Sequence, residues 1–235
     1  MSRASRTSVA SVARVIGAVA LAAAAASLVA SAAGSLRMAH PAWSVPIGIA
    51  DHQVATVSAD DQVGKYGDPA AAAPFWRFQH SSDCAEMAVA DVVGQVTGRE
   101  PTERQVTSLA RKTPSTAGAG PIYRRRVGTD ITNLPVLLAH YGVQSSLRQS
   151  SIGGLEQDLA RQHKVIAAVK AQTIWNAAGD RSDDNHVVVV TGIDTSAGLV
   201  HLNDSGIKTG RNERVSLATF ERAWATSQNL AVVTT

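Results

Sequence analysis

Residues 79–93 read QHSSDCAEMAVADVV, and the change from polar to mostly apolar residues inside this stretch decides how the domain starts. Ser82 or Asp83 suits the N-cap of a helix, and the residues after Cys84 are mainly small or apolar. Gly98 is a typical stop at the C-terminal end of a helix. The pattern therefore predicts a helix that begins near Cys84, with the cysteine in its first turn.

This cysteine is the only one among 235 residues, so no internal disulfide can form. A lone cysteine is often a small buried apolar residue, and composition alone does not separate that role from a reactive one. The nucleophilic form of cysteine is the thiolate, which helix N-termini and nearby imidazolium groups stabilise. The position of Cys84 at a helix start therefore favours a nucleophile.

The rest of the domain divides into a helical part followed by a strand-rich part. Further helices are predicted over 102–112, 134–140, 152–162 and 217–225, and strands over 164–170, 186–193, 198–203 and 229–234. Helices that mostly precede the strands, rather than alternating with them, indicate an α+β fold. We expect an N-terminal helical half packed on a C-terminal antiparallel sheet.

Seven histidines compete to be the base that a catalytic cysteine needs. His186 follows a polar stretch and opens a valine-rich strand, a position typical of the edge of a site. A hairpin turn over 194–198 returns the next strand to the same end, where Asp204 terminates it and can orient the imidazole. His201 and Asn203 are directed to the opposite face by the two-residue period of a strand.

Acyl transfer also needs hydrogen-bond donors for the oxyanion of its tetrahedral intermediate. The backbone N–H of Cys84, at a helix start, is one expected donor. The side-chain amide of Gln79, just upstream, is the second. Trp175 and Tyr123 lie in loops that we expect to flank the cleft.

Four stretches of the chain resemble bacteriocin-processing cysteine peptidase-like domains of the papain clan. Residues 79–84 are similar to their Gln…Cys motif, 185–194 to their histidine strand, 202–206 to their Asn-Asp turn and 215–224 to their closing helix. The resemblance covers about residues 75–233 and implies a papain-like fold with a peptide or protein substrate. It implies one role for each residue: nucleophile for Cys84, base for His186, orienting acid for Asp204 and oxyanion donor for Gln79.

Glu86 departs from the pattern of these domains, which usually carry a small pair such as Gly-Pro directly after the cysteine. An acidic side chain close to a thiolate opposes its formation, so an inactive papain-like binding module stays open as an alternative. A cell-wall amidase or endopeptidase of the NlpC type is another. Its third residue is often a histidine, which would be His201 in place of Asp204.

The composition argues against several other classes of protein. The net charge of +3 is too small and too scattered for a nucleic-acid binder. The histidines and the single cysteine lack the spacing of metal ligands. No glycine-rich phosphate loop precedes a helix. We therefore expect neither a metal nor a cofactor.

The N-terminal residues have the order of a signal for export. Three arginines precede an apolar run from Val15 to Ala30, and small residues follow. This order predicts a signal peptide or a membrane anchor over 1–33, an extended segment or linker over 34–73 and the peptidase-like domain over 74–235. The domain is then exported, to the extracellular space, the cell wall or the outer face of the membrane. Membrane contact is expected only through the N-terminal segment.

Overall fold

The computed structural model describes residues 63–235. The predicted signal segment, and all but the last eleven residues of the predicted linker over 34–73, lie outside the described residues. The described chain joins the sheet at Lys65, ahead of the domain boundary expected at residue 74. None of the helices within residues 63–235 is both long and apolar enough to cross a membrane.

Seven strands and seven α-helices make up the described domain. The strands are β1 (Lys65–Gly67), β2 (Ser145–Gln149), β3 (Val165–Val169), β4 (His186–Asp194), β5 (Leu199–Asn203), β6 (Glu213–Ser216) and β7 (Leu230–Thr234). The helices are α1 (Pro69–Ala72), α2 (Cys84–Thr97), α3 (Glu103–Lys112), α4 (Leu134–His140), α5 (Ile152–Ala160), α6 (Ala171–Ile174) and α7 (Leu217–Trp224). Short 3-10 turns cover Ala73–Phe75, Ile131–Asn133 and Ala225–Ser227.

The helix α2 begins at Cys84, as the sequence predicts, and is buried along most of its length. Its apolar residues surround the axis instead of forming one stripe, which is the pattern of a central core helix. Gly94 allows a close approach on one side, because a Cβ there would lie 2.5 Å from the Phe75 ring. The chain before Cys84 is thereby packed against the helix that carries the cysteine.

The strands form one antiparallel sheet in the order β2-β7-β3-β4-β5-β6, with β1 paired to β4. Val187 and Val189 of β4 face a core shared with α2, α3 and α4. Val188 and Val190 face a second core shared with α5 and α7. Burial on both faces explains why β4 reads as an unbroken run of valines. The predicted α+β architecture is confirmed, with α5 and α7 covering the far side of the sheet.

The candidate site lies where β4 starts and β5 ends. His186 is opposite Val169 of β3, and Asn203 is opposite Val189. The register shifts between Val190 and Gly192, where a bulge absorbs one residue of the hairpin. Asp204, one residue beyond β5, is thereby brought to the end of the sheet at which His186 enters it.

Candidate active site

Cys84, His186 and Asp204 lie in one chain of contacts. Cys84 is the first residue of α2 and is partly exposed. His186 and Asp204 are buried, and His186 Nε2 lies 2.7 Å from Asp204 Oδ1. The Cys84 thiol lies close enough to the same imidazole to raise its pKa, and Nδ1 is the ring nitrogen that the bond to Asp204 leaves free. The ring therefore stands between a thiol and a carboxylate.

Asp204 is held as an anion by donors from three parts of the chain. His186 and the backbone N–H of Gly206 donate to Oδ1, and Trp175 Nε1 donates to Oδ2 at 2.7 Å. Burial by itself raises the pKa of Asp204. The hydrogen bond and charge of His186, with the bonds from Trp175 and Gly206, outweigh burial and lower the pKa.

The same contacts favour a charged imidazole. Burial opposes protonation of His186, but its hydrogen bonds to Asp204 and Cys84, together with their charges, raise the pKa to about 10. The Trp175 ring packs against the imidazole with 5.1 Å between centroids. A tryptophan over this bond keeps water from competing for it, which strengthens the electrostatic pairing.

A cleft of about 930 Å³ opens at Cys84 and His186. Its walls come from the loop between α3 and α4, the chain around Trp175 and the first residues of β4. Trp175 lines it, as the sequence predicts. Tyr123 does not: its side chain is buried in the core, because it packs among the residues of α2 and α4, and only its hydroxyl reaches Ser81.

Gln79 lies on the cleft beside Cys84 and is fixed at both ends of its amide. Its Nε2 donates to the carbonyl of Ser81 at 2.7 Å, and its Oε1 accepts from the hydroxyl of Ser205 at 2.8 Å. An amide nitrogen carries two hydrogens, so one N–H stays available after the bond to Ser81. The structure thus brings the fourth predicted residue to the site, and its role as an oxyanion donor stays a prediction.

Glu86 is fully buried and is absent from the lining of the cleft. Thr129 Oγ1 donates to its Oε1 at 2.5 Å, which ties the cleft loop to α2. Burial, partly offset by that hydrogen bond, raises the pKa of Glu86 to about 7. The Glu86 carboxyl, two residues after the cysteine in sequence, is therefore turned into the core and loses charge as the pH falls below neutral.

His201, the third residue expected of an NlpC-type site, points elsewhere. Its Nδ1 pairs with Asn212 Oδ1 at 2.7 Å, while Asp204 takes the place beside His186. Asn203, the other neighbour considered, donates to Asp91 and to the carbonyl of Ala72. Strand alternation therefore gives the correct side for both residues.

The turn that follows Asp204 contains two glycines, Gly206 and Gly210, whose close contacts the sequence pattern did not predict. A Cβ on Gly206 would lie 2.6 Å from the Trp175 ring and 3.0 Å from His186 Cε1. A Cβ on Gly210 would collide with the carbonyl of Asp204. Both glycines lie in a polar turn. Two glycines in one short turn are the feature of the sequence that indicates close contact between this backbone and neighbouring groups. Within residues 63–235 no group of three His, Cys, Asp or Glu side chains could hold a metal ion.

Residues 69–232 match the family model described as the Peptidase_C39 like family. The match covers more than half of the chain, so the protein belongs to this family. The uncharacterized proteins Mb1299c of Mycobacterium bovis and Rv1268c of Mycobacterium tuberculosis are similar to it. Each is 41% identical over 235 residues, covering 89% of this chain and 99% of the relative.

The fold is also similar to a crystal structure from Bacillus anthracis of a protein assigned as a C39-like peptidase. The TM-score is 0.55 at 17% identity, with 73% of this chain and 97% of the other covered. The resemblance found in the sequence and the papain-like α+β fold are thus confirmed. Family and fold together suggest a peptidase, that is, a hydrolase.

Proposed function

We propose that this protein is a cysteine peptidase that hydrolyses a peptide or isopeptide bond through Cys84, His186 and Asp204. One observation carries the proposal: the His186 ring lies between the Asp204 carboxylate, at 2.7 Å, and the Cys84 thiol. A base that is oriented by a third group and meets a nucleophile is the arrangement that acyl transfer needs.

In the first half of the reaction, the Cys84 thiolate attacks the carbonyl carbon of the substrate. The oxyanion that forms accepts hydrogen bonds from the Cys84 backbone N–H and from the free N–H of Gln79. His186 then gives its proton to the leaving amine, and the C–N bond breaks to leave a thioester. The charge of Cys84 helps to hold that proton on His186, so its loss on acylation makes the proton easier to transfer.

In the second half, His186 is neutral and acts as a base. It takes a proton from water, whose oxygen attacks the thioester carbonyl at the same oxyanion position. Collapse of the intermediate releases the carboxylic acid and returns the Cys84 thiolate beside a protonated His186. Asp204 stays ionised throughout and holds the ring in place.

Reaction of Cys84 with iodoacetamide tests the proposal, because the chain has no other cysteine. At mildly acidic pH, where an ordinary thiol is protonated, we expect rapid alkylation in the wild type and at least tenfold slower alkylation in His186→Ala (order of magnitude). Cleavage of a mixed peptide library should be lost in Cys84→Ser. The matched control is His201→Ala, which changes a histidine outside the cleft.

Equal alkylation of wild type and His186→Ala would favour the binding module instead. Loss of reactivity in His201→Ala alone, with Asp204→Ala unaffected, would favour the NlpC-type arrangement.

We also propose that residues 1–33 direct export, because basic, apolar and small residues follow one another in the order of a signal peptide. A reporter that is active only outside the cytoplasm, fused after residue 33, should be active. Activity that persists when Arg3, Arg6 and Arg14 are changed to Glu would contradict this proposal.

A further inference from the structure

Glu213 places a second carboxyl group behind the candidate triad. It is the first residue of β6 and is opposite Leu202, two residues before Asp204. Residues opposite each other, and residues two apart along a strand, share a face of the sheet. The register therefore places Glu213 on the face of the sheet that continues to Asp204, and the Asp204 carboxyl is close enough to raise the pKa of Glu213.

Two neighbouring carboxyl groups repel each other when both are ionised, so the pKa of one of them is raised. Asp204 accepts three N–H bonds, from His186, Trp175 and Gly206, and is therefore the member that keeps its charge. Oε2 of Glu213 is buried and has no hydrogen-bond partner in the structure. A proton on Glu213 makes this atom a donor and removes the repulsion.

Building on the proposed function, we infer that Glu213 is a positioning residue: its protonated carboxyl donates to Asp204, and its ionisation adds a second negative charge behind His186. The proton leaves Glu213 to solvent through a second cavity, of about 740 Å³, which Glu213 lines. His186 keeps its own proton in this step. Glu213 acts on the thiol only through Asp204 and His186.

Burial and the surrounding charges bring the pKa of Glu213 close to neutral pH. Burial, and then the charge of Asp204, raises the pKa of Glu213 to about 7, against the opposing charge of His186. Arg181, Arg214 and Arg222 line the same cavity, but His186 is the charge that opposes the raised pKa of Glu213. The imidazolium is therefore held by one carboxylate at acidic pH and by two at alkaline pH.

Nuclear magnetic resonance of the full chain tests the inference, with labels in the glutamate carboxyls and the histidine rings. In the wild type, Glu213, assigned by Glu213→Gln, should titrate near neutral pH. Asp204→Asn should lower that midpoint, because the adjacent charge is gone. A Glu213 midpoint in the ordinary range of glutamate, or one unmoved by Asp204→Asn, would overturn the inference.

The effect on the site is measured in two ways: by the pH at which His186 loses its proton, and by the low-pH side (the acid limb) of the rate profile for Cys84 alkylation. Glu213→Gln should lower the pH at which His186 loses its proton by about one unit, since one negative charge is missing. The acid limb of Cys84 alkylation should not move, because Gln and protonated Glu are both neutral. A purely structural role would move both or neither. Glu221→Gln, which neutralises an exposed carboxyl on α7, should leave both unchanged.

Failure of the inference differs from failure of the proposed function. If Glu213 responds to Asp204→Asn while His186 titrates as an ordinary imidazole and Cys84 as an ordinary thiol, the triad is refuted, and with it the positioning role. If the triad behaves as proposed but Glu213→Gln leaves the His186 titration unchanged, only the role of Glu213 is refuted.

Discussion

Asp204 makes hydrogen bonds with several parts of the site, through both its side chain and its backbone. Its side chain accepts from a strand residue, His186, and from Trp175 near α6. Its backbone carbonyl accepts from Trp76 Nε1 at 2.6 Å, and its backbone N–H donates to Gly210. These hydrogen bonds fix the carboxylate in position, and its Oδ1 stays in contact with the imidazole.

The bond from Trp175 to Asp204 gives a prediction about the acid limit of the site. Trp175→Phe keeps an aromatic ring beside His186 but removes the N–H that helps to lower the pKa of Asp204. The pKa of Asp204 should rise, so the acid limb of Cys84 alkylation should move upward by about one pH unit. The measurement is the alkylation rate between about pH 3 and pH 7.

Trp76→Phe is the matched control, because it removes a bond to the carbonyl of the same residue and not to its carboxylate. It should leave the acid limb in place. Equal shifts in both variants would show that the effect is one of packing and not of charge.

Single residues were predictable where a pattern changes. Cys84 stands at the first turn of a helix, His186 at the first residue of a strand and Asp204 just after one, and each position is visible as a switch between polar and apolar runs. Trp175 and Glu213 were not assigned their contacts with Asp204, because each contact joins segments that only the fold brings together.

Among the elements, the turn that joins β5 to β6 has the tightest fit. A methyl group on Gly206 would press on Trp175 and His186 together, and the His186 ring is buried and held by Asp204. Gly206→Ala should therefore lower the alkylation rate of Cys84 by about tenfold or more, with a stability cost of about 1–3 kcal/mol from overpacking. Alkylation and urea unfolding measure the two effects separately.

Gly153→Ala is the matched control for that substitution. Gly153 lies in α5, where a Cβ would meet nothing within 4 Å. Alanine should stabilise the helix by about 0.5–1 kcal/mol and leave Cys84 unaffected. Wild-type alkylation in Gly206→Ala would contradict the close packing of the turn.

Elements with a strong period were predictable, and short polar ones were not. Apolar runs predicted β3, β4 and the core helix α2 almost to the residue, and an apolar face predicted α4 and α7. β2 reads Ser-Ser-Leu-Arg-Gln and lies at an edge of the sheet, where a single apolar residue suffices. β1 and β6 are three and four residues long, too short for alternation to be recognised.

At the scale of the whole molecule, burial favours the neutral, protonated form of several carboxyl groups. Burial is the largest cause that raises the pKa of Glu86, Asp91 and Glu213 to about 7 each. In the unfolded chain these groups ionise at much lower pH, so the folded state binds more protons in between. Their contribution to stability is complete at acidic pH and is lost as the pH rises towards 7.

His186 acts in the same direction at higher pH. Its pKa is raised from 6.5 to about 10, so the stability that it contributes is lost as the pH rises between those values. Asp204 acts oppositely, because its pKa is lowered from 3.8, and its contribution is lost only as the pH falls below that value. The free energy of unfolding should therefore be highest at mildly acidic pH.

Glu86→Gln isolates one part of this dependence. Glutamine keeps an oxygen that can accept from Thr129, but its side chain cannot ionise. The variant therefore lacks the proton that folded wild type binds on Glu86 and releases as the pH rises. Between the ordinary value of 4.5 and the raised value of about 7, wild type should lose about 1.4 kcal/mol more per pH unit than the variant. Urea unfolding across that range measures the two slopes. Glu221→Gln, an exposed change of the same kind, should follow the wild type, and parallel slopes for wild type and Glu86→Gln would show that Glu86 ionises normally in the folded core.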